Sequence, residues 1–206
     1  MLEKYTTIEE KVNGEIVEKK SKFIANVFPV ESEEEALKCL EEVKKLHRDA
    51  RHNVFVYRIA NGSERASDDG EPSGTAGVPI LDILRGMKLQ NVLVVVTRYF
   101  GGILLGTGGL VRAYTDSTKE ALKVAKLKEK VLKIEYKVEI PYSYYDKISH
   151  FCRTNNYQVV NSDYSDTVNI FVVVERERAQ DFENRITENS DRNTVITIER
   201  DEYYAW

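Results

Sequence analysis

The distribution of glycine divides this chain into two parts of different construction. All eleven glycines lie at or before Gly109, so the last 97 of the 206 residues contain none. Glycine allows backbone conformations and close approaches that other residues forbid. Tight turns and close backbone contacts that need glycine are therefore expected only in the first part. A short charged segment, "KLKEKV" at residues 126–131, is the predicted link. We therefore predict two domains, residues 1–127 and residues 128–206.

Strands and helices alternate in the second part in the order βαββαβ. "VLKIEYKVEI" alternates apolar and charged residues, the period of a strand with one buried face. "SYYDKISHFCRTNN" predicts a helix, with Ser143 and Asp146 as a variant of the capping box. The strands "YQVVNSDY" and "VNIFVVVER", a helix around Phe182 and Ile186, and the strand "NTVITIERDEYY" follow. This order is that of a ferredoxin-like sandwich.

The first part is predicted to pack helices on a mixed sheet. "NG" at 13–14 predicts a hairpin turn, and "SKFIANVFPV" continues as a strand. Ser32 and Glu35 form a capping box at the start of the helix "SEEEALKCLEEVKKLH". The strand "NVFVYRI", the polar loop "ANGSERASDDGEPSGTAG", a short helix over "VPILDILRGMK" and the buried strand "NVLVVVT" follow. A long helix is predicted at roughly 107–126. The predicted fold class is α+β, with an N-terminal α/β sandwich.

The stretch "VTRYFGGILLGTGGLVRAY", residues 96–114, places five glycines between an apolar run and this long helix. A glycine-rich turn before a helix can point several N–H groups at one spot, where the helix dipole favours an anion. The spacing does not match known phosphate loops, because Thr107 and Gly108 stand where a Walker loop has Lys-Ser/Thr, and Val111 replaces the third glycine of GxGxxG. The alternative is that the glycines only let the loop pass close to the sheet.

Binding to a nucleic acid would need a local patch, because the formal net charge is −4. Residues 128–206 carry 11 Lys and Arg against 15 Asp and Glu, so the first part is neutral. Arg98, Tyr99, Arg112 and the loop amides would contact phosphate or a base. The full set of candidates for binding an anion or a nucleic acid is Lys20, Lys22, Arg51, His52, Arg98, Tyr99, Gly101, Gly102, Gly106, Thr107, Gly108, Gly109 and Arg112.

An enzymatic alternative depends on "SDDGEPSGTAG" at 67–77. Asp68, Asp69 and Glu71 could hold Mg²⁺ through oxygen ligands, with the glycine turn as the site for a small phosphorylated or acidic substrate. Acidic residues in a Gly/Pro loop are more often a solvated turn. The histidines lack HxxxH or HExxH spacing, and no GxSxG is present. No catalytic residue, metal site or cofactor is therefore indicated. A third possibility is a pure protein-interaction module.

Three motifs, "KKSKFIA", "SDDGEPSGTAGVPIL" and "TRYFGGILLGTGGLVRAY", occur in the order found in the IMPACT family, and the whole chain resembles its bacterial, YigZ-type branch. The resemblance implies an N-terminal domain like the second domain of a small-subunit ribosomal protein. It also implies a ferredoxin-like C-terminal domain similar to the last domain of elongation factor G.

The same resemblance implies a function in translation. Eukaryotic members regulate translation under amino-acid starvation by competing for a kinase activator. Bacteria lack that kinase system, so this partner is not expected for a bacterial chain. The leading hypothesis is a non-enzymatic, translation-associated protein that binds RNA or a ribonucleoprotein. No run of about 18 apolar residues and no secretory pattern is present, so we expect a cytoplasmic protein without a membrane partner. No oligomeric state is indicated.

Overall fold

The computed structural model describes residues 3–60 and 62–205 and divides the chain into two compact units, Met1–Glu129 and Lys130–Trp206. Asn61, in the predicted polar loop, lies outside the described residues. The first unit contains β1 (Lys4–Ile8), β2 (Val12–Glu18), β3 (Ser21–Pro29), α1 (Glu33–Leu46), β4 (His52–Arg58), β5 (Glu64–Ser67), α2 (Gly77–Gly86), β6 (Val92–Tyr99) and α3 (Gly106–Lys123). The chain continues through β7 (Leu127–Ile140), α4 (Tyr145–Thr154), β8 (Gln158–Tyr164), β9 (Val168–Glu175), α5 (Ala179–Asn189) and β10 (Val195–Ala205).

The first unit is built on a five-stranded sheet in the order β2-β3-β6-β4-β5. Every neighbouring pair in it is antiparallel, so the prediction of a mixed sheet is wrong. Val94 and Val96 of the central strand β6 pack into a core with α2 and α3, and Leu93 and Val95 pack into a second core with α1. This double burial explains the continuous apolar run of β6, because a strand covered on both faces needs no polar alternation.

The first hairpin turns at Lys19 and Lys20, not at "NG" as predicted. Both lysines have positive φ, 45° and 65°, and they join β2 to β3 directly after the Glu18–Ser21 pair. Asn13 and Gly14 instead lie within β2. Gly14 is required there for packing, because a Cβ at this position would overlap the backbone of Ala121 in α3. The glycine therefore brings helix α3 close to the sheet.

Two further predictions in the first unit need correction or refinement. The polar loop after β4 contains the short edge strand β5, which pairs with β4. Helix α1 begins as predicted, with the Ser32 side chain accepting a hydrogen bond from the Glu35 N–H. The Glu35 carboxylate accepts from the N–H of Glu31 rather than from that of Ser32, so the reciprocal half of the box is shifted by one residue.

The second unit has the predicted βαββαβ order, and its strands lie in the order β10-β7-β9-β8. All three pairings are antiparallel, which is the ferredoxin-like arrangement. The chain is thus α+β, as predicted. The predicted link at 126–131 lies almost wholly in β7, and α4 follows a 3₁₀ turn at Tyr142–Tyr144 without a side-chain cap, so the capping box of Ser143 and Asp146 does not form.

Candidate anion-binding pocket

A pocket of about 360 Å³ lies between the acidic loop 67–77 and the start of helix α3. We call it the amide pocket. The acidic loop and the start of α3 thus form one concave site. It is lined by Arg51, His52, Gly70, Glu71, Pro72, Arg98, Phe100, Leu104, Leu105, Gly106, Thr107 and Leu110.

The polar side of the pocket is a buried ion pair. The Arg98 Nη1 donates to the Glu71 Oε1 at 2.6 Å, and the Tyr114 hydroxyl donates to the same oxygen at 2.7 Å. The Arg98 and Glu71 side chains are 7% and 4% exposed. Burial, followed by the hydrogen bond to Glu71, raises the pKa of the Tyr114 hydroxyl, which therefore stays protonated as a donor. Glu71 thus holds two donors in place beneath the pocket.

The Arg98 guanidinium is not fully satisfied by this pair. Its carbon lies 5.4 Å from the centre of the Phe23 ring and 5.5 Å from that of Phe100. Its Nε is buried and has no hydrogen-bond partner among the residues that the structure describes. Buried polar groups of folded proteins are almost always paired with protein, water or ligand atoms, so this N–H indicates a place for an acceptor.

The other two carboxylates of the acidic loop are used to build it. Asp68 accepts hydrogen bonds from the N–H groups of Gly74, Ala76 and Gly77, so it caps the start of α2. Asp69 accepts from the N–H of Asn53 at 2.6 Å. Within the described ranges, no group of three or more His, Cys, Asp or Glu side chains could hold a metal ion. The structure therefore does not bring the predicted Mg²⁺ ligands Asp68, Asp69 and Glu71 together as a ligand set.

His52 is oriented by the same loop. Its Nδ1 lies 2.7 Å from the carbonyl oxygen of Asp69 and must be the donor, because a carbonyl only accepts. Its Nε2 lies 3.9 Å from the Glu71 Oε1. In the neutral ring, Nε2 is then an acceptor in the pocket wall.

The start of α3 forms the opposite wall. Helix α3 has Leu105 at its N-cap position, without a side-chain hydrogen bond, and its first turn has no acidic residue. The first N–H groups of a helix have no partner within the helix and carry the positive end of its dipole. Gly106 and Thr107 therefore present a favourable site for negative charge in the pocket.

Arg51 and Phe100 stand at the rim. The Arg51 guanidinium lies 5.9 Å from the centre of the Phe100 ring, and no ion pair of Arg51 is found within the described part of the chain. Phe100 is 40% exposed. A free cation beside an exposed ring can bind an anion and a planar group together.

Other predicted residues lie elsewhere. Arg98 and Tyr99 point to opposite faces of the sheet because strand side chains alternate; the Tyr99 hydroxyl lies 2.8 Å from the Nδ1 of His47 on the α1 side. Lys22 forms an ion pair with Glu15 at 2.8 Å. The structure therefore does not bring Arg98 and Tyr99 together in one pocket.

Arg112 does not line the amide pocket either. It lines a second depression of about 340 Å³, which we call the outer groove, together with Ile16, Glu18, Lys19, Leu105, Gly109, Ala113 and Asp116. Arg112 follows Thr107 by five positions, and at 3.6 residues per turn this places the two side chains on different sides of α3.

The five glycines of this stretch serve different purposes. A Cβ at Gly101 would overlap the backbone of Lys20 and Ser21, so Gly101 is required for close packing on the first hairpin turn. Gly102 and Gly106 have positive φ, 83° and 69°, which side chains rarely adopt. Gly108 has neither feature, since no atom lies within 4 Å of its Cβ position. Close packing thus accounts for Gly101 and backbone conformation for Gly102 and Gly106, and anion binding by the glycine turn stays a prediction.

The sequence did not indicate the apolar half of the pocket. Pro72, Phe100, Leu104, Leu105 and Leu110 belong to it. Phe100 and Leu104 could have been suspected, because each follows a buried strand in a glycine loop where an apolar side chain has no predicted core to enter. The structure leaves Leu104 83% exposed.

Comparison with known proteins assigns the chain to a family. The model of the Impact N-terminal domain matches residues 19–122, and that of a domain of unknown function, DUF1949, matches residues 138–191. The chain is 39% identical over 191 residues to the IMPACT family member YvyE of Bacillus subtilis (strain 168), covering 91% of this chain and 88% of that protein. The chain belongs to the IMPACT family.

One further relative and one solved structure are similar to this chain over most of its length. The IMPACT family member YigZ of Escherichia coli (strain K12) is 35% identical over 176 residues, which cover 84% of this chain and 86% of that one. A crystal structure described as that of a hypothetical protein is 30% identical, with a TM-score of 0.67 over 98% of this chain and 100% of that chain. Both units of the chain therefore have IMPACT-family counterparts. Among the described residues, no helix is long and apolar enough to span a membrane.

Proposed function

We propose that this IMPACT-family chain is a translation-associated binding protein that contacts RNA, free or in a ribonucleoprotein, through the amide pocket and its rim. The observation that carries the proposal is the uncapped start of α3, without acidic residues, facing Arg51 and Phe100. This arrangement offers N–H donors, a free cation and an exposed ring within one site.

Each part of the site suits one part of a nucleotide. The amide N–H groups at the start of α3 are suited to phosphate oxygens. Phe100 is exposed enough for a base to stack on it, an interaction worth about 1–3 kcal/mol per base in single-stranded complexes. Arg51 lies where it can pair with phosphate beside the ring. Single-stranded RNA, whose bases are free to stack, fits this surface better than a duplex does.

The connection with translation rests on family membership, which implies domains like those of a ribosomal protein and of elongation factor G. The formal net charge of −4 agrees with a site that binds by local contacts. This charge excludes affinity from bulk electrostatics alone.

The test is fluorescence anisotropy of a labelled single-stranded RNA at two salt concentrations. Arg51→Gln should weaken binding and reduce the salt slope by about 0.7, the loss of one phosphate contact on a single strand. Arg48→Gln, which removes the same charge from an exposed residue outside the pocket, is the matched control and should bind as wild type. Equal behaviour of the two variants would contradict the proposed site, and co-sedimentation with ribosomes tests the connection with translation.

A second candidate is an enzyme acting on a small phosphorylated or acidic substrate. The concavity of the amide pocket and the acceptor Nε2 of His52 in its wall favour this candidate. It would have to work without Asp68 and Asp69 as metal ligands, since both carboxylates are occupied by backbone N–H groups. Binding of small anions without any binding of RNA would favour it.

A further inference from the structure

We infer that the amide pocket binds a nucleotide that ends in a phosphate monoester, rather than a phosphodiester in the interior of a strand. This inference rests on the proposed function and names the ligand class of the same site. The terminal phosphate can belong to a free nucleoside monophosphate or to the 5′ end of an RNA.

The position of the Arg98 Nε is the first reason. Arg98 is 5% exposed, and its unpartnered Nε lies below the surface. Because Arg98 lines the amide pocket, an acceptor oxygen approaches its guanidinium through the pocket. A terminal phosphate can enter because the chain continues from only one of its oxygens. An interior phosphodiester carries chain on two sides and is suited to grooves that lie open at both ends.

The number of donors is the second reason. Three separate sources of donors surround the pocket: the amides at the start of α3, the Nε of Arg98, and Arg51. A phosphate monoester offers three strong acceptor oxygens and a charge of about −1.5 to −2 at neutral pH. A carboxylate or a phosphodiester offers only two unsubstituted oxygens and one negative charge, so it matches these donors less well than a monoester does.

The charge of the pocket agrees with such a ligand. Glu71 neutralises one of the two arginines, so the charged side chains Arg51, Arg98 and Glu71 leave one positive charge beside the helix dipole. The dipole contributes the equivalent of about half a charge at the start of α3. The site is therefore suited to one small, highly charged group and not to a run of phosphates.

The apolar half of the pocket suits the remainder of a nucleotide. Phe100, Leu104 and Leu110 line it next to the donors. Its volume of about 360 Å³ falls in the range of about 300–1,000 Å³ typical of small-molecule sites. One base and sugar can thus lie against the apolar wall while the phosphate meets the donors.

The experiment compares ligands that differ only in the terminal phosphate. Isothermal titration of the full chain with adenosine 5′-monophosphate should show binding, and adenosine should show none. A 5′-phosphorylated RNA should bind about tenfold or more tightly than the same RNA with a 5′-hydroxyl. Equal affinity of the two RNAs would overturn the inference while leaving the proposed function intact. Binding of the monophosphate without binding of either RNA would support the inference for the free nucleotide and overturn the proposed function.

A pair of variants separates binding from folding. Thr107 is exposed in the first turn of α3 and lines the pocket. Thr107→Glu places a negative charge where the helix dipole favours it, so thermal stability should not fall, but the charge should repel the phosphate. We expect at least about tenfold weaker binding of adenosine 5′-monophosphate than for Thr107→Gln, which has the same length without the charge. Equal affinity of these two variants would overturn the inference.

Discussion

The amide pocket and the outer groove lie on two sides of the same helix turn and have similar volumes, about 360 and 340 Å³. Their electrostatics differ. In the outer groove, exposed Lys19 and Arg112 are matched by Glu18 and Asp116. In the amide pocket, the Arg98 guanidinium is buried and paired with the Glu71 carboxylate, and its Nε–H has no partner among the described residues. The difference shows that a depression becomes a binding candidate through buried, fixed polar groups and not through its size.

The largest effect should come from removing the carboxylate beneath the amide pocket. Glu71→Ala leaves the buried Arg98 cation without its partner and the Tyr114 hydroxyl without its acceptor. Breaking a buried ion pair in this way costs about 3–5 kcal/mol of unfolding free energy. Chemical denaturation of the full chain measures the loss.

Two controls belong to this prediction. Glu18→Ala removes the same group from the exposed outer groove and should change stability by about 0.5 kcal/mol or less. Adding Arg98→Met to Glu71→Ala removes the stranded charge and should recover part of the loss. A cost for Glu18→Ala comparable to that of Glu71→Ala would remove the distinction between the two depressions.

A medium effect is expected within the glycine loop, residues 100–105, which joins β6 to α3. Gly101→Ala forces a methyl group into the backbone of Lys20 and Ser21. Overpacking of this kind costs about 1–3 kcal/mol, so the melting temperature should fall.

Gly108→Ala is the matched control, because it adds the same methyl group a few residues along the chain. Its Cβ position is open and its φ is negative, so the variant should gain about 0.5–1 kcal/mol from the helix preference of alanine. If Gly101→Ala and Gly108→Ala lowered the melting temperature by similar amounts, the different environments that the structure gives the two glycines would be contradicted.

Much of the fold could be predicted because its patterns are local. The alternation in β7, the apolar run of β6 and the Ser32 cap each depend on a few adjacent residues. The turn at Lys19–Lys20 could not be predicted, because lysine has no preference for positive φ. The "NG" at 13–14, which is typical of a hairpin turn, instead lies in a strand where Gly14 packs against α3. Long-range packing overrode a local signal at this position.

The candidate site was predicted only in part. The loop at 67–77 and the glycine stretch meet, and Arg51, His52, Arg98, Gly106 and Thr107 do line one pocket. The sequence could not show that Glu71 pairs with Arg98, because this contact joins segments 27 residues apart through the packing of the sheet. The alternation of side chains along the predicted strand could have excluded Tyr99 from the site of Arg98. The positions of side chains around the predicted helix could likewise have excluded Arg112 from the site of Thr107.

The smallest effect should follow from Arg112→Gln, and this expectation tests the comparison most directly. Arg112 and Arg51 are both exposed arginines, and each substitution changes the net charge by the same amount. Any difference in RNA affinity between the two variants therefore reports local geometry and not overall charge. Arg112 lies in a charge-balanced groove without a buried donor beside it, so its loss should change the affinity by less than about twofold and leave the salt slope unchanged. Fluorescence anisotropy at two salt concentrations measures both quantities. If Arg112→Gln weakened binding as much as Arg51→Gln, the RNA would have to cross both sides of α3, and the amide pocket would be one part of a wider surface.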